Sequence, residues 1–247
     1  MQYPSRLIEG QFLKRYKRFF ADVELTVNGR SKKAVAHVAN TGSLRGVCDK
    51  PAPCRLTRHD DPNRKLKYSL EQIQLETSWV GVNTRLANDI VAEAFDLKLF
   101  KHWCHYSEMQ REFRLSDKTR LDFRFTDPRG HFHFVEVKSV SMTTPSGDGE
   151  SIVAQFPDSP TVRGQKHLEE LMAIVQQAPR SKNSAEIFFV VQRADARTFS
   201  PAALIDKKYA ELLRQAHHAG VQVSAYAVDL TPDSAHFLPT PLRLDID

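Results

Sequence analysis

The hydrophobic residues change period near Asn83, and that change limits the chain to two kinds of structure joined in series. Before it, apolar residues alternate in short runs broken by turn formers. Residues 19–27 alternate roughly in and out, Asn28-Gly29 supplies a tight hairpin turn, and further extended pieces are expected over 33–38, as a short pair over 48–57, and over 68–76. Several short strands of this kind protect their edges best by closing into a small barrel. After Asn83 the spacing becomes helical: Leu86, Ile90, Val91, Ala94, Phe95 and Leu97 or Leu99 form one stripe, with Asn88 or Asp89 as the expected cap. The domains expected are therefore 1–83 and 84–247.

The second domain reads as α/β with a mixed sheet. Residues 120–126 and 131–140 flank Asp127-Pro128-Arg129-Gly130, a turn signal, and so form a hairpin. An irregular stretch over 143–149 leads to a helix beginning near Thr161 or Arg163. Ile187, Phe188, Phe189, Val190 and Val191 are apolar without alternation, the pattern of a strand covered on both faces. A helix over 209–219 and a strand over 221–228 follow.

Asp122, Glu136 and Lys138 form the most informative constellation. Neighbouring hairpin strands bring Asp122 beside Glu136, and the two-residue step to Lys138 sends both side chains to one face, while Val135 and Val137 take the other. Two carboxylates suit Mg²⁺ or Mn²⁺, and a lysine can orient water or offset phosphate charge. An ordinary salt-bridged strand face is the competing reading. Glu93, on the preceding helix, can lean in as a third carboxylate or face solvent. Gln165 and Lys166 can contact phosphate or water, or be plain helix surface.

Charge is unevenly placed. Residues 1–83 carry 15 Lys and Arg against 8 Asp and Glu, whereas 84–247 carry 20 against 22. Lys14, Arg15, Lys17 and Arg18 interleave with Tyr16, Phe19 and Phe20, and Arg64, Lys65 and Lys67 make a second basic cluster. Such residues can hold phosphates while an exposed ring stacks on an unpaired base, although Phe19 and Phe20 are expected in the core. DNA is the expected partner and RNA a further one, and no recognition-helix pattern suggests sequence reading. Asn40-Thr41-Gly42-Ser43 is expected as a structural turn, with phosphate binding as its alternative. Asp148 and Glu150, in a loop able to cover the carboxylates, would resist phosphate unless turned away or sharing a cation.

Other classes are set aside. His37, His59, His102 and His105 do not combine with Cys48, Cys54 and Cys104 in a zinc spacing, and Ser43 and Ser139 lack a nucleophile's partners. No apolar run approaches the roughly 18 residues of a membrane span, and a cytoplasmic protein is expected.

These residues, taken together, resemble the sugar fermentation stimulation protein A family over nearly the whole chain. The resemblance rests on Gly10 with residues 13–19, Ala36-His37, residues 40–43, Arg64-Lys65-Leu66, residues 79–84, residues 120–123, Val135-Glu136-Val137-Lys138, Phe156-Pro157-Asp158, residues 163–168, Gln192-Arg193 and Gly220-Val221. It implies an α/β two-domain protein: a small OB-like β-barrel followed by a mixed-sheet domain of the restriction-endonuclease-like fold. It further implies nonspecific DNA binding linked to sugar use, especially maltose. By the same resemblance Asp122, Glu136 and Lys138 fill the Asp and Glu-x-Lys roles of metal-dependent phosphodiesterases, with Glu93 as the helix carboxylate. Val38-Ala39 stands where the family commonly has Cys-Pro, Asp61-Pro62-Asn63 where Asn-Pro is usual, and Pro160 where a small apolar residue is commoner.

Overall fold

The computed structural model describes residues 1–27, 29–117, 119–147, 149, 151–177 and 182–246. The first domain is a six-stranded sheet: β1 (Ile8–Tyr16), β2 (Phe20–Val27), β3 (Arg30–His37), β4 (Ala52–Arg58), β5 (Tyr68–Gln74) and β6 (Trp79–Gly81). Strand order is β3-β2-β1-β4-β5-β6, and a parallel pairing of β3 with β5 closes it into an OB-like barrel. Its interior holds Phe12, Val23, Leu25, Ala36, Leu56, Leu70 and Ile73. On β2 the alternation is regular, with Ala21, Val23 and Leu25 inward. On β1 the register slips between Phe12 and Lys14, a bulge that puts Leu13 out of phase. That slip hides β1 from an alternation pattern, so the basic run from Lys14 begins inside a strand. Only β4 occupies the span expected to hold two extended pieces, and Asn28 of the expected hairpin turn lies outside the described residues.

The second domain opens with α1 (Arg85–Asp96), whose cap position is Thr84, four or five residues before the expected Asn88 or Asp89. Ala87, Ile90, Val91, Ala94 and Phe95 form its buried stripe, while Leu97 and Leu99 are exposed because Lys98, at φ 54°, turns the chain away. The main sheet contains β7 (Glu108–Ser116), β8 (Thr119–Thr126), β9 (Phe132–Val140), β12 (Ser184–Val191), β14 (Gln222–Leu230) and β15 (Ala235–Pro241), in the order β15-β14-β12-β9-β8-β7. Its centre, β9-β12-β14, is parallel and its flanks are antiparallel. Helices α2 (Val162–Gln176) and α3 (Lys207–His218) cover one face, with Leu168, Leu171, Tyr209 and Leu213 against Ile187, Phe189 and Val191. The α1 side, with Trp103, covers Val135, Val137, Phe188 and Val190. Over residues 187–191 β12 is thus apolar on both faces, as that unbroken run requires. A smaller sheet of β10 (Thr143–Pro145), β11 (Ile152–Phe156), β13 (Thr198–Pro201) and β16 (Arg243–Leu244) lies beside the main one in sequence order β10-β11-β13-β16. The stretch expected to be irregular is therefore partly a β10–β11 hairpin; Asp148 and Glu150 lie outside the described residues.

Buried polar contacts fix the two domains against each other. The Gly81 amide donates to the Gln192 carbonyl at 2.8 Å, and a Cβ there would stand 2.3 Å from Gln192 Oε1. Arg55 lies 3.6 Å over the Trp79 ring and donates to Gln72, whose own amide reaches the Thr231 carbonyl at 3.0 Å. No helix among the described residues is long and apolar enough to cross a membrane.

Candidate functional site

Between the barrel and the second domain lies a cleft of about 1080 Å³, lined by Arg15 to Arg18 and the Asn40–Ser43 turn on one side, and by Asp122, Glu136, Lys138 and Arg163 on the other. The acid pair arises where the hairpin opens. Pairing of β8 with β9 ends at Phe123 opposite Val135, and beyond it Asp122 Oδ2 accepts from the Val137 amide at 2.8 Å, a side chain replacing the ladder acceptor. Leu121 packs under α2 while Phe123 packs on the α1 side, so β8 changes faces at Asp122. The second oxygen of Asp122 accepts from Asn88 on α1 at 2.8 Å.

Glu136 is almost completely buried. Its Oε1 accepts from Lys138 Nζ at 2.6 Å and from His167 Nδ1, whereas Oε2 has no hydrogen-bond partner among the described residues. With its Nδ1 proton donated to Glu136, His167 presents Nε2 as an acceptor to Arg163 Nε at 3.5 Å. The two carboxylates differ in acidity. Burial pushes Asp122 up to about 6, reinforced by the nearby charge of Glu136 and opposed by Val137, Lys138 and Asn88. Burial would raise Glu136 as well, but Lys138 and His167 outweigh it and hold this carboxyl below its ordinary range. One carboxylate is thus firmly ionised and the other is poised near neutrality.

Three expected members do not join the site. Glu93 is 40% exposed on its side chain and pairs with the Met1 amino group. It follows Asn88 by five helical residues, about 140° around α1 at 3.6 residues per turn, so the helix presents an amide to Asp122 instead of a carboxylate. Gln165 turns to Asp206, donating to both oxygens at 2.9 and 3.0 Å, and Lys166 reaches Thr119 at 3.1 Å and Glu170 at 3.4 Å. The cause is helix phase: Thr161 caps α2 by accepting from the Gly164 amide, which puts Arg163 and His167, four apart, on the cleft side. Asn88, Arg163 and His167 are therefore site residues that sequence spacing misses. The position of Thr161 as an N-cap is the one signal that sets the correct phase.

The basic residues also divide. Arg15 donates to the carbonyls of Arg18, Asn40, Gly42 and Ser43, between 2.7 and 3.0 Å, and so braces the barrel wall. Arg64 donates to the Leu66 carbonyl and Ser69, and Lys67 to the carbonyls of Asp61 and Pro62. Lys14 pairs with Asp22 at 3.4 Å outside the cleft, and Lys65 is exposed but does not line it. Lys17 and Arg18 are exposed at the cleft. Contrary to the core expectation, Phe19 is 41% exposed; Phe20 is half-buried and stacks with Tyr16. The Asn40–Ser43 turn is structural: the Gly42 amide donates to Asn40 Oδ1 and the Leu44 amide to Asp158 Oδ2, so a carboxylate already takes the place of an anion.

Among the described residues no group of three or more His, Cys, Asp or Glu is placed to hold a metal. Asp49 and Asp158 also line the cleft but accept from the Gly46 and Leu44 amides, whereas in the Asp122–Glu136 pair the unpartnered, buried Glu136 Oε2 suits a hard cation, which takes oxygen ligands.

Comparison with known proteins agrees with this architecture. The model for the SfsA N-terminal OB domain matches residues 13–82, and that for the sugar fermentation stimulation protein RE domain matches residues 85–234. The sugar fermentation stimulation protein homolog of Bdellovibrio bacteriovorus is 43% identical, covering 99% of both chains, and that of Geotalea uraniireducens is 40% identical over 94% of this chain and 95% of the relative. The solved structure of Pyrococcus furiosus SfsA in complex with Ca²⁺ superposes with a TM-score of 0.84 at 25% identity, covering 100% of this chain and 98% of that one. With both domain models matched in order and relatives alike from end to end, the chain belongs to the sugar fermentation stimulation protein family.

Proposed function

We propose that the protein binds DNA without sequence preference along the cleft between its domains. The observation that carries this reading is that exposed cations from both domains, Lys17, Arg18 and Arg163, face the same cleft as the acid pair. Phosphate contacts of this kind release counterions, so affinity should fall steeply with salt. Anisotropy titrations of duplex and single-stranded DNA, with RNA in parallel, test it. Affinity that is flat across ionic strength, or equal after Lys17→Ala with Arg18→Ala, would reject it. A role in sugar use rests on the family's name, its narrowing to maltose on the sequence resemblance alone, and either is read as a consequence of nucleic-acid binding. The three free cysteines fit a reducing cytoplasm.

The unpartnered Glu136 Oε2 beside Asp122 favours a second reading, divalent-metal-dependent phosphodiester cleavage of DNA or RNA. Asp122 and Glu136 would hold Mg²⁺ or Mn²⁺; the Ca²⁺ named with Pyrococcus furiosus SfsA is a cation of the same oxygen-seeking kind. When bound, such an ion supplies phosphate polarisation and a more acidic water. The chain's own part is positional. Asn88 and the Val137 amide fix Asp122, His167 fixes Glu136, and Lys138 brings a cation to the same oxygen. Cleavage should require Mn²⁺ or Mg²⁺, stop on chelation, and be lost in Asp122→Asn and Glu136→Gln. Cleavage that survives both substitutions would place the chemistry elsewhere.

A further inference from the structure

We infer that the tip of the β1–β2 hairpin is a stacking platform for an unpaired nucleobase, which makes single-stranded nucleic acid the ligand of the cleft. The inference rests on the nucleic-acid reading above and specifies its substrate class.

The tip is held in one conformation by the same contacts that brace the barrel wall. Lys17 and Arg18 hold φ of 48° and 63°, a left-handed conformation that side-chain-bearing residues seldom adopt and that persists only when surroundings enforce it. The enforcement is visible. Arg15 donates from Nε to the Arg18 carbonyl at 2.7 Å while its other nitrogens grip Asn40, Gly42 and Ser43. The Phe19 amide donates to the Lys17 carbonyl and the Val38 amide to the Phe19 carbonyl. A guanidinium is thus consumed in posting a short turn beside the cleft. What the turn displays is two exposed cations and an aromatic ring 41% open to solvent. Next to it Tyr16 lines the cleft, backed by Phe20 with ring centroids 5.7 Å apart and planes at 16°.

Full burial of a phenylalanine side chain is worth roughly 1.5–3 kcal/mol, and Phe19, exposed next to Lys17 and Arg18 at the edge of the cleft but outside its lining, leaves part of that gain for a ligand. A single strand is such a ligand. Its bases offer free π faces to rings while its phosphates meet the cations, the combination found where strands are bound without sequence preference. A duplex covers those faces with its own stacking and leaves the rings only sugar and phosphate. Tyr16, already stacked from behind by Phe20, needs no rearrangement to receive a base on its open side.

The test uses the full-length protein and four labelled ligands of equal length: a DNA strand, its duplex, the same strand without bases, and an RNA strand. The DNA strand should bind more tightly than the duplex and the abasic strand, and the RNA arm tells which sugar is accepted. Tyr16→Ala and Phe19→Ala should each weaken the DNA strand by about 5- to 150-fold, the range expected for removing one base–aromatic stack. Duplex affinity and the salt slope should not move, because no phosphate contact is lost. Tyr16→Phe should bind as the parent does, and thermal melts of all variants establish that folding is intact. Equal binding of the normal and abasic strands, or equal weakening of strand and duplex by the ring substitutions, overturns the platform while leaving electrostatic binding in place. Absence of binding to every ligand overturns the nucleic-acid reading and the platform together.

Discussion

Replacing Asp122 by Asn should make the protein more stable at pH 8 and less able to hold a cation. The carboxyl titrates at about 6 in the folded chain against 3.8 when unfolded, because it is buried beside Glu136. A folded value above the unfolded one means that the folded state prefers the proton. The associated stability is complete below pH 3.8 and lost as pH rises through 6, after which the ionised group is a standing cost. A difference of roughly 2 pH units at about 1.4 kcal/mol each sets that cost near 3 kcal/mol, and solvent in the open cleft lowers it toward ~1 kcal/mol. Asparagine carries no charge, can still accept from the Val137 amide, and lets Asn88 turn its own amide to match. A gain of about 1–3 kcal/mol corresponds to a melting temperature higher by roughly 2–10 °C for a chain of this size. Calorimetry at pH 8 and pH 4 reads the effect, which should vanish at the lower pH. Mn²⁺ at pH 8 should raise the melting temperature of the parent and leave Asp122→Asn unmoved. A variant less stable than the parent at both pH values, or stabilised equally by Mn²⁺, would refute the account of a buried charge at Asp122 held beside Glu136.

Three further outcomes follow from named contacts. Lys138→Ala strips Glu136 of a cation at 2.6 Å in a nearly buried site and should cost about 3–5 kcal/mol in urea melts, so its cleavage assays need a folding control. Arg15→Lys removes carbonyl contacts and no phosphate contact; single-strand affinity should drop with the salt slope unchanged, and a shallower slope would show that Arg15 does meet phosphate. Glu186 is buried without exposure, yet His102 and His133 offset that burial and hold it down to about 2, against 4.5 unfolded. Its stabilising charge is present above pH 4.5 and lost as pH falls toward 2, so the parent's lead over Glu186→Gln in urea melts should shrink from pH 7 to pH 3.

What could be read in the sequence was whatever local periodicity reports. The hairpin bearing Asp122, Glu136 and Lys138, the doubly covered β12 and the closed barrel all follow from spacing of two or from an unbroken apolar run. The failures have a common origin in phase. A bulge after Phe12 shifts β1 by one residue and conceals it; an early start at Arg85 puts Asn88, not Glu93, toward Asp122; the Thr161 cap turns Gln165 and Lys166 from the cleft and His167 into it. Strands of two to four residues, β10, β13 and β16, are too short to show any period, and they exist because β10 and β13 pair on either side of β11 and β16 pairs with β13.

Net charge misleads for a related reason. The first third holds the basic excess, yet Arg15, Arg64 and Lys67 direct their donors at main-chain carbonyls, and Lys14 faces Asp22. A cation whose hydrogen bonds close a turn adds to the formal charge and to the long-range field, but its geometry is not available to a phosphate. The cations that line the cleft and stay exposed are few and come from both domains, Lys17 and Arg18 from the hairpin tip and Arg163 from α2. Binding in the cleft, as proposed, would therefore depend on the fixed orientation of barrel against sheet. Gly81→Ala, whose Cβ would meet Gln192 Oε1 at 2.3 Å and Gln192 Cβ at 3.0 Å, should cost about 1–3 kcal/mol and weaken DNA binding without altering any charge. If melting temperature falls while affinity at low salt stays at the parent's value, the barrel holds DNA by itself and the shared cleft is not the binding site.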